Sequence, residues 1–278
     1  MNIKFWKVQA AGNDFVLVHH EDVLAVDLPE LARKVSERGF SIGSDGLLVV
    51  APTDAGLHLR MFNPDGSEDF CGNGTRCAAM HAHQLGWVGN SFVIEHLGRK
   101  VPAEIQRGGM VRVTLPPSTI VPDHVPYIPS HEGGDKITVE GVEGSPISTG
   151  STHFIVFRDY AVPDSEFLVK SPLIEVSPVF PERTSIMWTR VLEPGQISLR
   201  IWERGAGETL GCGTGSCAAA AIYLKEFGYE GEVEVQNPGG TIYVKVLEDG
   251  QIQMSSVPAS VYEGTVEIET PSTISAAR

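Results

Sequence analysis

Two stretches of the chain repeat one pattern: Phe62–Ala79 reads FNPDGSEDFCGNGTRCAA and Trp202–Ala220 reads WERGAGETLGCGTGSCAAA. In each stretch, a turn with glycine and acidic residues is followed by Cys-Gly-x-Gly, a second cysteine and a run of alanines. The leading cysteines, Cys71 and Cys212, lie about half of the 278-residue chain apart, which is far longer than the period of a solenoid. The repeat therefore predicts two related half-molecules, each with one cysteine at the start of a helix.

A cysteine at the start of a helix has a chemical consequence. Unpaired backbone N–H groups and the positive end of the helix dipole stabilise a thiolate there, which lowers the thiol pKa. The same N–H groups bind anions such as carboxylates, and the glycines of the motif allow a ligand to approach the backbone closely. Each half is thus predicted to supply a reactive sulfur together with a carboxylate-binding site.

Packing, metal binding and redox chemistry account less well for the repeated cysteines. Buried packing is the commonest role of a cysteine, and Cys77 and Cys217, which lie further along the alanine-rich segments, fit it. Structural zinc favours gaps of two to four residues. Five residues separate Cys71 from Cys77, outside this range, and four separate Cys212 from Cys217, at its upper limit. No GK[ST] follows the glycines and no C-x-x-C occurs, which disfavours a phosphate loop and a dithiol redox site. We expect no metal and no cofactor.

Two thiols from related halves suit the inversion of a carbon centre. That reaction needs a base on one face of the carbon and an acid on the other. A carboxylate held at helix N-termini favours the intermediate carbanion, because hydrogen bonds are concentrated where negative charge grows. The pattern predicts proton transfer at the α-carbon of a small molecule that carries a carboxylate.

The composition excludes several classes of partner. Asp and Glu outnumber Lys and Arg by 35 to 21, for a net charge of −14, so the chain has no net attraction to nucleic acid or an anionic membrane. Apolar residues make up 42% of the chain, too many for a disordered protein. Apolar runs fall far short of the ~20 residues of a membrane span, and a signal-peptide pattern is missing. We expect a cytoplasmic protein with reduced cysteines.

The local sequence pattern predicts an α/β protein. Short segments rich in β-branched and aromatic residues predict strands over much of the chain. The predicted helices run over Leu28 to about Arg38, Gly72 to about Leu85, and Gly213 to about Phe227. Prolines and glycines crowd residues 115–150 and break regular structure there. We place the boundary in this region, between a lobe of residues 1–117 and a lobe of residues 118–261.

The chain resembles the diaminopimelate epimerase family over essentially its whole length. The stretches that carry the resemblance are AAGNDFVLV, SIGSDGLL, TGSTHFIV and the two cysteine motifs. The resemblance implies two pseudo-symmetric lobes, each with strands wrapped around a central helix, and an active site in the cleft between them. Residues 262–278 would complete the first lobe. It further implies a homodimeric isomerase that needs no pyridoxal phosphate and interconverts LL- and meso-2,6-diaminopimelate, in lysine and peptidoglycan precursor biosynthesis.

The resemblance also implies roles for individual residues. Cys71 and Cys212 match the two catalytic thiols, and His153 and Glu203 match the residues that tune Cys71 and Cys212, respectively. The positions that match the backbone cradle for the reacting carboxylate are Gly72, Asn73, Gly213 and Thr214. The positions that match contacts to other parts of the substrate are Asn13, Asn63 and Arg204. From the residues alone, His153 also fits a core histidine, Glu203 a solvated turn carboxylate and Asn13 a turn former.

Two positions depart from the family pattern. The family often has Gly-Asn-Pro before the histidine, where this chain reads Gly150-Ser151-Thr152, and it often has Asn where this chain has Ser185. In the family these asparagines help to bind the distal carboxylate, so Ser151 and Ser185 are the predicted contacts here. Because serine reaches less far, a racemase of another amino acid on the same scaffold stays an alternative. A metal-binding structural protein that uses all four cysteines is a second alternative.

Overall fold

The computed structural model describes residues 1–118 and 136–268, and most of its regular structure is strand. The strands are β1 (Asn2–Ala10), β2 (Asn13–His19), β3 (Gly46–Thr53), β4 (Gly56–Phe62), β5 (Ser91–His96), β6 (Arg99–Ile105), β7 (Val111–Leu115), β8 (Ile137–Val139), β9 (Val142–Ser148), β10 (Thr152–Phe157), β11 (Ser185–Glu193), β12 (Gln196–Glu203), β13 (Gly207–Thr209), β14 (Val233–Asn237), β15 (Gly240–Val246), β16 (Ile252–Ser256) and β17 (Ala259–Glu267). The helices are α1 (Leu28–Ser36), α2 (Gly72–Gln84), α3 (Asp164–Glu175) and α4 (Gly213–Phe227), with short 3₁₀ turns at His20–Val23 and Arg107–Gly109.

Three of these helices begin where the sequence predicts. Asp27 caps α1 by accepting a hydrogen bond from the Glu30 N–H at 2.9 Å, as expected of aspartate at this position. Helices α2 and α4 start directly after the two motif cysteines. Helix α4 ends at Gly228, whose left-handed φ of 63° suits glycine at a helix C-terminus. The predictions for α1, α2 and α4 are confirmed to within two residues at each end.

Helix α3 is not among the helices that the sequence predicts. It carries Pro172 in its interior, and its apolar residues do not form one buried face. Phe167 and Ile174 are buried, whereas Leu168 and Leu173 are about half exposed. Without a single apolar stripe the 3.6-residue period is weak, so α3 is defined by its tertiary packing.

The described residues divide into two compact units, of which the first comprises residues 1–9, 14–105 and 258–268. Strand β17 pairs antiparallel with β1, and β1 pairs with β2. Strands β2 to β6 then pair in chain order, alternately parallel and antiparallel. Helix α2 is buried along most of its length and packs against β3, β4, β6 and β17. A separate core cluster joins buried residues of α1, such as Leu31, to strand residues such as Val16 and Leu47.

The second unit comprises the described residues 10–13, 106–118 and 136–257. Strands β8, β9 and β10 pair antiparallel, β10 pairs parallel with β11, β11 antiparallel with β12, and β12 parallel with β14. Strands β14, β15, β16 and β7 continue the series with antiparallel pairings, and β13 pairs with β12. Helix α4 is buried and packs against β9, β10, β11, β14, β15 and β16.

The two units share one topology. In the first, α1 connects the parallel strands β2 and β3, and α2 connects the parallel strands β4 and β5. In the second, α3 connects β10 and β11, and α4 connects β12 and β14, again parallel. In each unit the second crossover helix begins at the repeated cysteine motif and is enclosed by strands. The predicted α/β fold of two pseudo-symmetric lobes around central helices is therefore confirmed.

The ends of the two units differ from the predicted lobe bounds of 1–117 and 118–261. The chain leaves the first unit after residue 105, because β7 pairs with β16 within the second unit. It returns to the first unit at residue 258, where β17 pairs with β1. Residues 119–135 and residues 269–278 of the predicted lobes and tail lie outside the described residues. Among the described residues, no helix is both long and apolar enough to cross a membrane.

Candidate functional site

Cys212 occupies the N-cap of α4, as the motif predicts. Its backbone is extended, with φ −125° and ψ 113°, and its Sγ accepts a hydrogen bond from the Gly215 N–H at 3.3 Å. The backbone carbonyl of Cys212 accepts from the Ser216 hydroxyl at 2.8 Å. The thiol thus takes the place that a serine or aspartate oxygen takes at other helix N-termini. Cys212 is 5% exposed, so its sulfur is largely removed from water.

Cys71 has the same local geometry at the N-cap of α2. Its φ of −133° and ψ of 113° match those of Cys212, and its Sγ accepts from the Gly74 N–H at 3.4 Å. The Thr75 hydroxyl donates to the Cys71 carbonyl at 2.7 Å, the counterpart of the Ser216 bond. Cys71 is less buried than Cys212. The prediction that each half presents one cysteine at a helix start is confirmed.

Glu203 lies against the Cys212 thiol. It is the last residue of β12, and its Oε1 accepts from the Thr209 hydroxyl of β13 at 2.6 Å, which fixes the orientation of the carboxylate. Burial raises the pKa of the Cys212 thiol well above its ordinary value, and the adjacent Glu203 charge raises it further. Hydrogen bonds from Thr214 and the Gly215 N–H lower it, but by less. The predicted lowering of the thiol pKa by the helix terminus is therefore wrong for Cys212, because desolvation outweighs it.

His153 is buried in β10, and the Thr214 hydroxyl lies between its ring and the Cys212 sulfur. Its Nδ1 is 2.9 Å from the Ser151 carbonyl, so Nδ1 carries the proton, and its Nε2 is 3.4 Å from the Thr214 hydroxyl. The Thr214 hydroxyl is in turn 3.6 Å from the Cys212 Sγ. Burial lowers the pKa of His153 to about 4, against the bond to Ser151, and the Arg204 charge lowers it too. His153 is therefore neutral at pH 7.

Ser185 and Arg204 lie side by side in the second unit. Ser185 begins β11 directly opposite His153 in the parallel pairing. The Ser185 hydroxyl accepts a hydrogen bond from the Arg204 N–H at 3.0 Å, and the Arg204 guanidinium donates to the Glu182 carbonyl at 3.0 Å. The structure thus gives Ser185 a protein partner that the sequence does not indicate.

Asn13 belongs to the turn Ala10–Asn13, which packs against the loop that leads to Cys212. A Cβ atom on Gly211 would lie only 2.1 Å from the Ala11 carbonyl oxygen, so the glycine is what allows this approach. The Gly239 N–H donates to the Leu210 carbonyl at 2.7 Å and closes the same loop. The second unit therefore brings Asn13 together with the loop before Cys212.

Asn63 and Asn73 flank Cys71 in the first unit. The Asn63 side chain donates to the Ser67 hydroxyl at 3.0 Å within the turn after β4. Asn73 is buried in the first turn of α2, and its amide oxygen accepts from Arg76. Arg76 is fully buried, which is unusual for an arginine. Gly72 begins α2 as Gly213 begins α4, so all four predicted cradle residues lie in the first turns of the two helices.

Three contacts of the candidate residues are missing from the predictions made from the sequence. The His96 Nε2 accepts the Cys71 N–H at 3.3 Å from the neighbouring strand β5. The Thr209 hydroxyl donates to Glu203. Thr209 lies six residues after Glu203, on the other strand of the same hairpin, and this spacing is a sequence signal for the contact. Arg76 follows Asn73 by one helical turn, a spacing that brings side chains together.

The two remaining cysteines are packing residues. Cys77 and Cys217 are fully buried within α2 and α4, and the Cys217 Sγ lies 3.7 Å from the Met254 Sδ. Burial raises the pKa of the Cys77 thiol far above its ordinary value. Within residues 1–118 and 136–268, no group of three or more His, Cys, Asp or Glu residues is arranged to hold a metal ion.

Solved structures with this architecture include several epimerases and related proteins. A hydroxyproline epimerase from Agrobacterium vitis superposes with a TM-score of 0.69 at 13% identity, covering 97% of this chain and 94% of that one. A phenazine biosynthesis protein of the PhzF family from Bacillus anthracis gives a TM-score of 0.68 at 20% identity, covering 96% of this chain and 100% of that one. These likenesses define a structural class, in which two related units each enclose a central helix with strands.

Sequence comparison resolves the family within that class. The family model of diaminopimelate epimerase matches residues 5–121 and 146–266. A diaminopimelate epimerase from Desulfitobacterium hafniense is 34% identical over 94% of this chain and 96% of its own length. One from Pseudomonas aeruginosa is 35% identical over 96% of this chain and 100% of its own length. The chain belongs to the diaminopimelate epimerase family.

Proposed function

We propose that the chain interconverts LL- and meso-2,6-diaminopimelate by exchanging the proton at one α-carbon, with Cys71 and Cys212 as the exchanging groups. The observation that carries the proposal is the matched placement of the two thiols. Each caps a buried helix and accepts a hydrogen bond from the third N–H beyond it in the chain. Membership of the family supplies the substrate, a small-molecule amino acid, and the reaction class, an isomerase that works without pyridoxal phosphate.

The proton transfer needs one sulfur as thiolate and the other as thiol, on opposite faces of the α-carbon. Because burial and Glu203 keep the proton on Cys212, we assign Cys212 as the acid and Cys71 as the base in the resting protein. The Cys71 thiolate takes the α-proton, and the Cys212 thiol delivers its own proton to the opposite face. In the reverse direction the two sulfurs exchange roles. Glu203 holds the acid in its protonated form. The resemblance to the family assigns His153 to Cys71, whereas its described contacts reach Cys212 through Thr214.

Substrate binding follows from the same elements. The N–H groups of Gly72, Asn73, Gly213 and Thr214 are proposed to cradle the reacting carboxylate, which strengthens their hydrogen bonds as negative charge develops. Asn13, Asn63, Arg204 and Ser151 are proposed to contact other parts of the substrate. Ser185 is proposed to act at the distal end as well, in part by holding the Arg204 backbone.

The experiment that tests the function is deuterium exchange in heavy water. The protein is incubated with diaminopimelate and, separately, with a panel of other amino acids, and uptake at the α-carbon is followed by mass spectrometry and NMR. Uptake on diaminopimelate, lost in a Cys212→Ala control, is the expected result. Uptake only on another amino acid would instead support a racemase of that amino acid. No uptake together with stoichiometric zinc would support the four-cysteine structural protein.

We further propose that the protein is a cytoplasmic homodimer without nucleic-acid or membrane partners. The resemblance to the family suggests the dimer, and the net charge of −14 disfavours polyanionic partners. Size-exclusion chromatography with light scattering tests the dimer, which should have twice the chain mass of 30.0 kDa. A mass of one chain at micromolar concentration would contradict it.

A further inference from the structure

Glu175, the last residue of α3, carries a buried carboxylate that has no part in the proposed proton transfer. It is 5% exposed. Its Oε1 accepts hydrogen bonds from the Arg183 guanidinium and from the Gly205 N–H at 2.7 Å, and its Oε2 accepts from the Trp202 indole N–H at 2.7 Å. Burying a carboxylate is costly unless it is paired and hydrogen-bonded, and here both oxygens are engaged.

Two of these donors flank the residues that the reaction uses. Trp202 precedes Glu203 and Arg204, and Gly205 follows them. The intervening Arg204 N–H is held by the Ser185 hydroxyl at 3.0 Å, and the Ala206 N–H closes the turn on the Glu203 carbonyl at 3.1 Å. Glu175 of α3 therefore holds the segment that joins β12 to β13 at two points, Trp202 and Gly205.

The position of this turn determines whether the Glu203 carboxylate lies next to the Cys212 thiol. The groups that face the sulfur are the Glu203 carboxylate from β12, the Thr214 hydroxyl and Gly215 N–H from α4, and His153 from β10 through Thr214. Of these groups, only Glu203 lies on the turn that Glu175 holds. A shift of about 1 Å in a positioned catalytic group can change a rate roughly 100-fold, so the anchoring of the turn matters.

We propose that Glu175 is a positioning residue, whose carboxylate holds the 202–205 turn through Trp202 and Gly205 so that Glu203 stays against the Cys212 thiol. This role deepens the proposed function and rests on it for its effect on turnover. A purely structural role is the alternative: the Glu175–Arg183 pair would then stabilise the fold and leave Cys212 unaffected. The two roles differ in a quantity that can be measured without substrate.

The test is Glu175→Gln in the full-length protein, with the alkylation rate of Cys212 measured against pH by iodoacetamide labelling and peptide mass spectrometry. Glutamine keeps the shape but offers one acceptor oxygen instead of two, so the turn loosens and Glu203 moves away from the sulfur. We expect the midpoint of Cys212 labelling to fall by about one pH unit, and kcat to fall roughly 10- to 100-fold with a smaller change in KM.

Glu166→Gln is the matched control. Glu166 is another α3 carboxylate, paired with Arg158 at 3.0 Å and bound by the Tyr160 hydroxyl at 2.9 Å, away from the 202–205 turn. This variant should keep the wild-type labelling midpoint and kcat. If Glu175→Gln does not fold, Trp202→Phe replaces it, since it removes the indole N–H and leaves the Arg183 pair intact. It should shift the midpoint in the same direction.

An unchanged Cys212 midpoint in a folded Glu175→Gln protein, or in Trp202→Phe where the first variant does not fold, overturns the positioning role. The labelling midpoint of Cys212 is measured without substrate, so its result does not depend on whether the proposed function is correct. If the wild-type protein takes up no deuterium on diaminopimelate, the proposed function fails, while the midpoint shift still decides the role of Glu175.

Discussion

The sulfur atoms of Cys71 and Cys212 each replace a capping oxygen, and in the proposed mechanism the same atoms exchange the proton. A serine at either position can make the same cap, but an alcohol is a far weaker acid than a thiol. We therefore expect Cys71→Ser and Cys212→Ser to fold normally and to retain less than about 1% of wild-type turnover, the loss expected when a proton-transfer group is removed. Turnover is measured by the deuterium assay and folding by thermal unfolding.

Cys217→Ala is the control for the serine variants, because Cys217 lies within α4 and not at its start. Removing a buried sulfur costs about 1 kcal/mol of folding free energy, and turnover should stay within about twofold of wild type. Wild-type turnover in either serine variant would rule out proton transfer by sulfur. Loss of turnover in Cys217→Ala would assign it a role beyond packing.

The negative charge of Glu203 raises the pKa of the Cys212 thiol. Glutamine at this position removes the negative charge that raises the pKa of Cys212 while keeping the side-chain shape. We expect Glu203→Gln to shift the labelling midpoint of Cys212 to lower pH, since the thiolate is no longer opposed by a carboxylate. Thr209→Val, which removes the 2.6 Å bond to Glu203, should give a smaller change. A midpoint that rises in Glu203→Gln would contradict the assigned contact.

At the scale of elements, the repeated motifs predict more than the rest of the chain does. Cys-Gly-x-Gly before alanines is a local pattern, so it locates the starts of α2 and α4 and the capping role of each sulfur. The buried face of α3 mixes apolar residues such as Phe167 and Ile174 with the polar Ser171 and Glu175, and Pro172 interrupts its pattern, so no local rule indicates it. Glu175 and His96 lie outside the motifs, and only tertiary packing brings Glu175 to Trp202 and Gly205 and His96 to the Cys71 N–H. The raised pKa of Cys212 depends on tertiary burial, which a helix-terminus rule does not contain.

The loop before α4 offers a test of close backbone packing. A Cβ on Gly211 would lie 2.1 Å from the Ala11 carbonyl oxygen, a distance that only a backbone shift can relieve. We expect Gly211→Ala to lose about 2–4 kcal/mol of folding free energy and to displace the Asn13 turn, with a rise in KM. Chemical denaturation and steady-state kinetics measure the two effects.

Gly89→Ala is the control for the loop variant, because a Cβ there meets nothing within 4 Å. It should change the folding free energy by less than about 0.5 kcal/mol. Equal stabilities of Gly211→Ala, Gly89→Ala and wild type would show that the 10–13 turn is not closely packed against the loop.

At the scale of the whole molecule, the two units share one topology, but different side chains surround their two helix-capping thiols. Both helix-capping thiols share backbone angles, a third-residue N–H donor and a hydroxyl that binds the cysteine carbonyl. Their neighbours differ: Cys71 has the neutral His96 on its N–H, whereas Cys212 has Glu203 at its sulfur. In the proposed reaction, which needs an acid and a base, this difference separates the roles of the two thiols.

Both units bury histidines, and this predicts a loss of stability in mild acid. His81, His96 and His153 are at most 4% exposed, and burial lowers the pKa of each to about 4. In the unfolded chain the pKa returns to about 6.5, so between about pH 6.5 and pH 4 the unfolded state binds more protons. Stability is therefore complete above about pH 6.5 and falls as the pH drops. At about pH 5 the loss is on the order of 1–2 kcal/mol for each histidine.

Urea unfolding at about pH 7.5, 6.5 and 5.5 measures this loss, since most carboxylates stay ionised over that range. The wild-type free energy of unfolding should fall with decreasing pH, with a slope approaching about three protons toward the acid end. His81→Phe should reduce the slope by about one proton, because a phenylalanine takes up no proton in either state. Equal stability at the two ends of the range would mean that the buried histidines are already charged in the folded protein, and would remove the basis for a neutral His153 beside Thr214.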